Sequence, residues 1–398
     1  MNKEKIPAKF KVNNQDFIVE EITKDEKICS VNLNPSDKIE IPEKPLDSKR
    51  EFLWCEFQKQ NIDQFRALKE FSSQIRKGLQ AIGFAGTKDK NAITCQQISI
   101  FNPDLELIKN FKHNNIQIKN FHWEKRKIKL GYLKGNHFKI TLRAIEKKDS
   151  IQIISTINKT KNFPNYFGPQ RFGSVRQNNP QIGKLIIKRK FKEAINTILT
   201  QQSQNERTEV NEARKRLSLE KDYKNALTYF PEYLKFERQI LNYLVQNSED
   251  YIGVINKIER KQFLMYIHSL QSLLFNQILE SALLEKIDFN IKGQQKIPLF
   301  GYKSNIDSGK LGEIEEEILN QNNIQLQDFN IQEIPYLRVR GDLRNALISV
   351  EDIIADSEDD ELFPESKKVI LEFSLPSGVY ATTFLNIFFE LIEEKRQS

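Results

Sequence analysis

GFAGTKDKNAITCQQ, residues 83–97, is the stretch that decides the fold, because it places one aspartate on a glycine-led turn just before a predicted strand. Glycine tolerates backbone angles and close approaches that other residues do not, which suits a tight turn. Lys88 and Lys90 flank Asp89, and neighbouring positive charges favour the ionised carboxylate. The turn therefore predicts an aspartate ready to act as nucleophile or base. A KDK tripeptide alone is also typical of a solvated surface turn.

The hydrophobic spacing on both sides of this turn predicts the elements that support it. Apolar residues three and four apart predict an amphipathic helix over residues 62–80, with Asp63 as its cap. Residues 92–100 are rich in Ile and Thr and predict a strand. Two-residue alternation predicts strands at 137–143 and 369–375, which favours an antiparallel or mixed sheet with one exposed face.

The middle of the chain has a different pattern from its two ends. From about residue 177 to 337 it is mainly helical and polar, with an apolar stripe over residues 261–285. At 398 residues the chain is long for one ordinary core. We therefore predict an α+β protein, in which residues 1–176 and 339–398 form one domain with a mixed or antiparallel sheet. Residues 177–338 are predicted to form a helix-rich α/β insertion domain.

The charge balance favours a polyanionic partner. Lys and Arg number 61 against 54 Asp and Glu, a formal net charge of +7. A basic surface gains affinity for nucleic acid by neutralising phosphates and releasing counterions. Residues 351–361 carry seven acids and no base, and we interpret them as an acidic loop. The polar segment 201–220 lacks a convincing core face and is predicted to be partly exposed.

Cysteine and histidine usage argues against a secreted protein and against a metal site. Cys29, Cys55 and Cys95 are widely spaced and form no CxxC pair, which favours reduced intracellular thiols. The four histidines share no metal-ligand spacing. No run approaches the roughly 20 apolar residues of a membrane span, and the N-terminus lacks an apolar signal region. We expect a soluble, cytoplasmic protein without a metal.

A second candidate site is NYFGPQRFG, residues 165–173. Alternate residues of an extended segment point the same way, so Asn165 and Phe167 would reach one ligand together. An amide can hydrogen-bond the edge of a base while an aromatic ring stacks on its face, although aromatic residues more often pack in cores. Arg171 would bind the Asp89 carboxylate or an RNA phosphate, or form a structural salt bridge, since a guanidinium pairs with any of them.

Two adjacent acids near the N-terminus form a third candidate. Glu20 and Glu21 lie on a predicted strand over residues 17–22, and the alternation directs Glu21 toward its apolar face. A buried acid needs a partner, for which Lys88 is a candidate. A solvent-facing acid pair is the alternative.

A basic and aromatic segment is a candidate RNA contact. Trp123 and Tyr132 accompany five cations: Lys125, Arg126, Lys127, Lys129 and Lys134. Such patches can follow a backbone and stack unpaired bases, although charge runs are often only solvated faces.

The segments at residues 83–97 and 165–173 together resemble the paired signatures of the TruD family of pseudouridine synthases. Four further blocks resemble that family in the same order: DFIVEE at 16–21, LKGNHFKITLR at 133–143, LQSLLFNQIL at 270–279 and LPSGVYAT at 375–382. Two positions depart from the family pattern, Asn91 and Asn345.

The resemblance implies an enzyme that isomerises uridine in tRNA, at position 13, without cofactor or metal. It implies a pseudouridine-synthase catalytic domain made from both chain ends, with the family's insertion domain between them. It makes Asp89 the catalytic carboxylate and places Asn165 and Phe167 in the active site, with Glu21 at the family's acidic position.

Two other functions remain open at the level of sequence. One is a non-catalytic RNA-binding protein or RNA chaperone on the same fold, for which Asp89 would have no use. The other is a synthase with a different RNA target, since RNA recognition is spread over shape and phosphate contacts. The residues also leave open whether Asp89 attacks the substrate or removes a ribose proton. We expect a monomer.

Overall fold

The computed structural model of the chain describes residues 5–33, 39–45, 51–290 and 295–393. The chain divides into two compact units. The first consists of Met1–Phe163 and Ile348–Ser398, and the second of Pro164–Leu347. The predicted division into a catalytic and an insertion domain, at 176/177 and 338/339, concerns function and stays a prediction.

The N-terminal part of the first unit is rich in strands. Its strands are β1 (Ile6–Phe10), β2 (Phe17–Ile22), β3 (Phe52–Gln60), β4 (Ile82–Phe84), β5 (Ile93–Phe101), β6 (Ile116–Glu124), β7 (Gly135–Ile145) and β8 (Asn162–Pro164). Its helices are α1 (Gln64–Gln74), α2 (Leu105–Lys109) and α3 (Lys147–Asn158).

The second unit is mainly helical, as the sequence pattern predicts. Its helices are α4 (Asn179–Ile187), α5 (Phe191–Thr200), α6 (Thr208–Glu220), α7 (Tyr223–Tyr229), α8 (Lys235–Gln246), α9 (Tyr251–Lys257), α10 (Arg260–Leu284) and α11 (Gly309–Gln321). Strands β9 (Lys296–Leu299) and β10 (Asp342–Asn345) pair in antiparallel fashion. The chain then returns to the first unit with β11 (Leu347–Ser349), β12 (Glu351–Asp359), β13 (Lys367–Pro376), α12 (Ala381–Leu385) and β14 (Phe389–Glu393).

The first unit is built on one ten-stranded sheet. Seven strands follow the order β12-β13-β7-β2-β5-β3-β6, and β1, β4 and β14 attach to this path. Strand β2 pairs with β5 in parallel, as does β1 with β14, whereas the other ladders described for this sheet are antiparallel. The prediction of an α+β fold with a mixed sheet is confirmed.

The first helix is shorter than predicted. Asp63 caps α1 as expected, since its side chain accepts hydrogen bonds from the main-chain N–H groups of Phe65 and Arg66. The helix ends at Gln74 rather than at residue 80, because Arg76 adopts the left-handed conformation (φ 51°), which α-helical pairing does not allow. The chain then reaches β4 through a short 3₁₀ turn.

The acidic segment is a strand and not a loop, which corrects the sequence-based interpretation. Residues Glu351–Asp359 form β12, paired with β13. Lys367 lies 3.0 Å from the Asp359 carboxylate, and Lys368 lies 3.1 Å from that of Glu358. Opposite charges on facing strands stabilise the pair, so part of the acidity is neutralised locally.

The segment at 201–220 is partly exposed, as predicted, but the expectation that it lacks a core face is wrong. Helix α6 buries Val210, Ala213 and Leu217 in the core of the second unit. Arg214 is fully buried beside them, and its guanidinium lies 2.9 Å from Glu206 and 2.8 Å from Glu237. Charged residues that are buried by pairing with one another look like surface residues in the sequence, although they face the core.

None of the helices in the described residues combines the length and the apolar character that crossing a bilayer demands.

Candidate active site

Asp89 lies in the connection between β4 and β5, and its side chain is 54% exposed. Its Oδ2 atom is 3.8 Å from the Nζ atom of Lys11, which follows β1. Lys11 is largely buried and adopts a left-handed conformation (φ 56°), and its ammonium lies 4.4 Å from the centroid of the Phe17 ring. A half-exposed carboxylate held beside a fixed cation can contact substrate.

The lysines that flank Asp89 in sequence are not the ones that hold it. Lys88 instead forms a buried ion pair with Glu21, at 2.8 Å between Nζ and Oε2. Lys90 is exposed. The predicted charge partners of Asp89 are therefore wrong, because the side chains of Lys88 and Asp89 leave the turn in different directions.

The prediction that Glu21 faces inward with Lys88 as its partner is confirmed. Glu21 is 1% exposed and also accepts a hydrogen bond from the main-chain N–H of Gln97. Glu20 is buried too, since its Oε1 atom accepts from the N–H of Val31 at 2.6 Å. Both faces of β2 are covered, so neither acid faces solvent. A substrate-binding role for Glu21 or Lys88 stays a prediction.

Lys59 is a site residue that the sequence did not identify. It is 1% exposed, and its ammonium donates a hydrogen bond to the main-chain carbonyl of Asp89. Burial lowers the pKa of Lys59 to about 8, against the opposing influence of the Asp89 and Asp63 carboxylates. The residue lies at the end of β3, where its alternation with apolar residues gives no sign of a distant carbonyl partner.

In the second unit, Asn165 is 3% exposed, and its side-chain amide is hydrogen-bonded to neighbouring residues. Its Nδ2 donates to the carbonyl of Asn345 at 2.8 Å, and its Oδ1 accepts from the guanidinium of Arg344. The amide predicted to read a base edge is therefore already engaged on both of its atoms. Because the contact uses the main chain of Asn345, the departure of that residue from the family pattern does not affect it.

Phe167 is clamped at its main chain and flanked at its ring. Asn276 of α10 accepts from the N–H of Phe167 and donates to its carbonyl, both at 2.9 Å. The guanidinium carbon of Arg344 lies 4.0 Å from the ring centroid, and Phe275 meets the ring edge-on at 5.5 Å. The half-buried ring thus has a fixed orientation.

Arg171 is also attached to α10. Its Nε donates to the hydroxyl of Ser272 at 3.0 Å, and its carbonyl accepts from the hydroxyl of Ser269 at 2.9 Å. Its guanidinium lies 5.6 Å from the centroid of the Phe167 ring. The resemblance of residues 270–279 to the family points to α10 but gives its side chains no role. The fold shows that Ser272 and Asn276 of this helix support the 165–173 segment.

We expect Asn276→Ala to lower both activity and thermal stability. The change removes the partners of two main-chain groups at Phe167, and each buried group left unpaired costs about 1–3 kcal/mol. Melting temperature and turnover on tRNA measure the two effects. Gln277→Ala is the matched control, because the adjacent Gln277 side chain accepts only from Asn322 among the contacts described. Equal effects of both substitutions would contradict the clamp.

In the basic segment between β6 and β7, fewer cations are available to contact RNA than the sequence suggests. Of its cations, Lys125, Arg126, Lys129 and Lys134 are exposed. Lys127 donates to the carbonyl of Gln80, and Lys134 pairs with Glu26 at 2.8 Å. We call Lys125, Arg126 and Lys129, the exposed cations other than the Glu26-paired Lys134, the loop patch.

The aromatic members of this segment are core or scaffold residues. Trp123 is 5% exposed and donates to the carbonyl of Pro42, so it offers no open face to a base. Tyr132 is half-buried, and its hydroxyl accepts from Arg126 at 2.7 Å. Stacking by Trp123 is excluded, because its ring packs in the sheet core.

Three kinds of comparison with known proteins indicate the same family, and each covers most of the chain. The family model described as tRNA pseudouridine synthase D (TruD) matches residues 1–295 and 291–388. A protein of Methanopyrus kandleri named "Probable tRNA pseudouridine synthase D" is 32% identical, over 82% of this chain and 83% of that protein. A protein of the same name from Methanosarcina acetivorans is 29% identical, over 98% and 94%. The crystal structure of a TruD protein from Methanosarcina mazei superposes with a TM-score of 0.80 at 28% identity, covering 98% of this chain and 95% of that one.

Proposed function

Because the chain belongs to the TruD family of tRNA pseudouridine synthases, we propose that Asp89 is the carboxylate with which it converts uridine to pseudouridine in tRNA. The enzyme is an isomerase, so the reaction needs no net oxidant, reductant or energy source. The observation that carries the assignment is the half-exposed Asp89 carboxylate beside the Lys11 ammonium, at 3.8 Å. By contrast, the neighbouring acid Glu21 is buried in an ion pair with Lys88.

The reaction replaces a C–N bond of the nucleoside by a C–C bond, and one carboxylate is needed to start it. Asp89 either attacks the nucleoside or removes a ribose proton. The N1–C1′ bond then breaks, the uracil rotates, and C5 bonds to C1′ while the bond to Asp89 breaks or Asp89 returns the ribose proton. The proton leaves C5 and N1 gains one, so that product and substrate have the same composition. The target uridine must leave the base stack, as for other enzymes that act on bases.

The NYFG segment is proposed to receive the flipped base. Support for stacking comes from the Phe167 ring, which is half-buried and flanked by Arg344, while Asn276 holds the main chain of this residue. The role of Asn165 is revised from base recognition to support of this segment, because Arg344 and Asn345 engage its amide. Arg171 remains a candidate for an RNA phosphate, with Ser272 orienting its guanidinium.

The test of the activity is to map pseudouridine in tRNA treated with wild-type protein and with Asp89→Ala. We propose uridine 13 as the target. Modification at position 13 by the wild type alone is the expected result. Modification elsewhere would assign a different target to the same chemistry. Absence of pseudouridine with retained RNA binding would favour the non-catalytic binding protein.

The loop patch of Lys125, Arg126 and Lys129 is proposed to contact tRNA phosphates, as the three are exposed. Lys127 and Lys134 contribute less, because a carbonyl and Glu26 already engage their ammonium groups. Affinity should fall steeply between about 50 and about 200 mM salt, since the slope of log K against log salt reflects the number of phosphates engaged.

Replacing the three loop-patch cations by glutamine should flatten that salt slope by up to about 3, or about 1 for each cation that no longer binds a phosphate. Turnover at saturating tRNA should change little, because the patch positions the substrate without entering the reaction. The matched control replaces three exposed lysines of the same unit, Lys147, Lys148 and Lys159, by glutamine. The same slope for both triple variants would show the loop patch to be a solvated surface.

We further propose that the protein acts as a monomer in the cytoplasm. The three cysteines support a reducing compartment, since all are free and buried and burial raises their pKa values. Sedimentation of the purified protein tests the oligomeric state.

A further inference from the structure

Lys59 occupies an unusual place for a lysine, on the helix-covered face of the sheet. Its neighbour across the antiparallel β3–β5 ladder is Thr94, and across the parallel β2–β5 ladder Thr94 faces Val19. The three residues form a row across adjacent strands, and each is at least nine-tenths buried. Lys59 is among the largest fully buried side chains of the described chain.

The partner of this ammonium is a neutral group on the proposed catalytic residue. Its Nζ atom donates to the main-chain carbonyl of Asp89 and not to a carboxylate. Lys88, one residue earlier, is held by Glu21 through its side chain. Two buried ammonium groups thus attach consecutive residues of one turn to the sheet, while the Asp89 carboxylate itself stays half-exposed.

Stability alone does not account for a lysine at this position. Burial of an ammonium without a carboxylate partner is unfavourable, and an apolar side chain of the same length would avoid that penalty. The lowered pKa of Lys59 expresses the same penalty, because burial disfavours the charged form. Perturbed ionisable groups of this kind concentrate at functional sites.

We propose that Lys59 is a positioning residue for the reaction, whose ammonium fixes the main chain of Asp89 so that the carboxylate keeps its reactive orientation. The inference rests on the proposed function of Asp89. A misplacement of a reacting group by about 1 Å can reduce a rate by about 100-fold, so a fixed carbonyl at the reactive residue has a direct effect on turnover.

The charged groups around Lys59 define how this device depends on pH. Asp89 and Lys88 face it from the turn, and Asp63 faces it from the start of α1. The β5 and β2 neighbours in its row, Thr94 and Val19, do not titrate. The carboxylates of Asp89 and Asp63 support the charged ammonium, and Lys88 opposes it. Loss of the Lys59 proton near pH 8 weakens the bond to the carbonyl, so turnover should decline above that pH.

The experiment compares Lys59→Met and Lys59→Arg with Lys119→Met. Lys119 is the matched control, because it is another strand lysine of the same sheet whose ammonium donates to a main-chain carbonyl, that of Ser30. We expect Lys59→Met to lower kcat at least about tenfold with unchanged KM for tRNA and an unchanged or higher melting temperature. Lys119→Met should leave kcat unchanged. Lys59→Arg should retain activity and lose the alkaline decline, since arginine does not titrate there.

Two results would overturn the inference. One is a wild-type kcat in Lys59→Met, and the other is a loss of activity that only parallels a loss of folded protein. Should Lys59→Met not fold, the pH profile decides, because an alkaline decline of kcat that persists in Lys59→Arg contradicts the proposal. Failure here is distinguishable from failure of the proposed function, since Asp89→Asn would remain inactive in the first case and would be active in the second.

Discussion

Asp89→Asn is expected to lower pseudouridine formation at least about 1000-fold, because the amide preserves the size of the side chain but is neither nucleophile nor base. Affinity for tRNA should stay within a few-fold of wild type, since the carboxylate takes no part in phosphate contacts. The carbonyl that Lys59 holds is unchanged, so the turn should keep its structure. Single-turnover assays at saturating tRNA, with binding measured in parallel, separate the two effects.

Asp104→Asn is the matched control for this substitution. Asp104 caps α2 by accepting from the N–H groups of Glu106 and Leu107, and asparagine caps a helix about as well as aspartate. The control should therefore retain both activity and stability. Turnover of Asp89→Asn above about a tenth of wild type would exclude Asp89 as the catalytic carboxylate.

Phe167→Ala is expected to reduce kcat/KM by about 5- to 150-fold if the ring stacks on the flipped base. This factor corresponds to a lost stacking free energy of roughly 1–3 kcal/mol. The melting temperature should change little, because the Asn276 clamp holds the main chain and not the ring. Phe167→Tyr keeps the aromatic face and should retain most of the activity.

Phe275→Ala is the comparison that defines a purely structural aromatic residue. Phe275 meets the Phe167 ring edge-on but is fully buried, so its truncation should cost about 3–5 kcal/mol of stability. A stability loss of that size in Phe167→Ala, with activity falling only as far as the folded fraction, would make Phe167 a core residue.

The sequence predicts best where periodicity and burial act together. Alternation along β2 directs Glu21 inward, and the penalty for an unpaired buried acid then requires a cation, which is Lys88 in the structure. The same alternation predicts β7 and β13, and helical spacing predicts α10. These signals are local, so one window of sequence contains them.

The parts that sequence misses depend on contacts between distant segments. Lys11 reaches Asp89 only because β1 and the turn meet in the folded sheet. Arg344 engages Asn165 from β10, and nothing in either segment indicates the other. The acids of β12 suggest a solvated loop until the lysines of β13 are placed opposite them. Side-chain direction in a turn, as for Lys88 and Asp89, likewise has no periodicity from which to infer it.

The parallel pairing of β1 with β14 joins strands that lie far apart in the sequence. Ile6 aligns with Phe389 and Phe10 with Glu393, and β1 also pairs with β7 at Lys9 and Phe10. Lys11 follows β1 directly, and its ammonium also lies 3.8 Å from Glu393. The cation beside Asp89 therefore follows a strand whose own place depends on β7 and β14 together. A substitution that loosens β14 would disturb the contact between Lys11 and Asp89, although no residue near Asp89 in the sequence is changed.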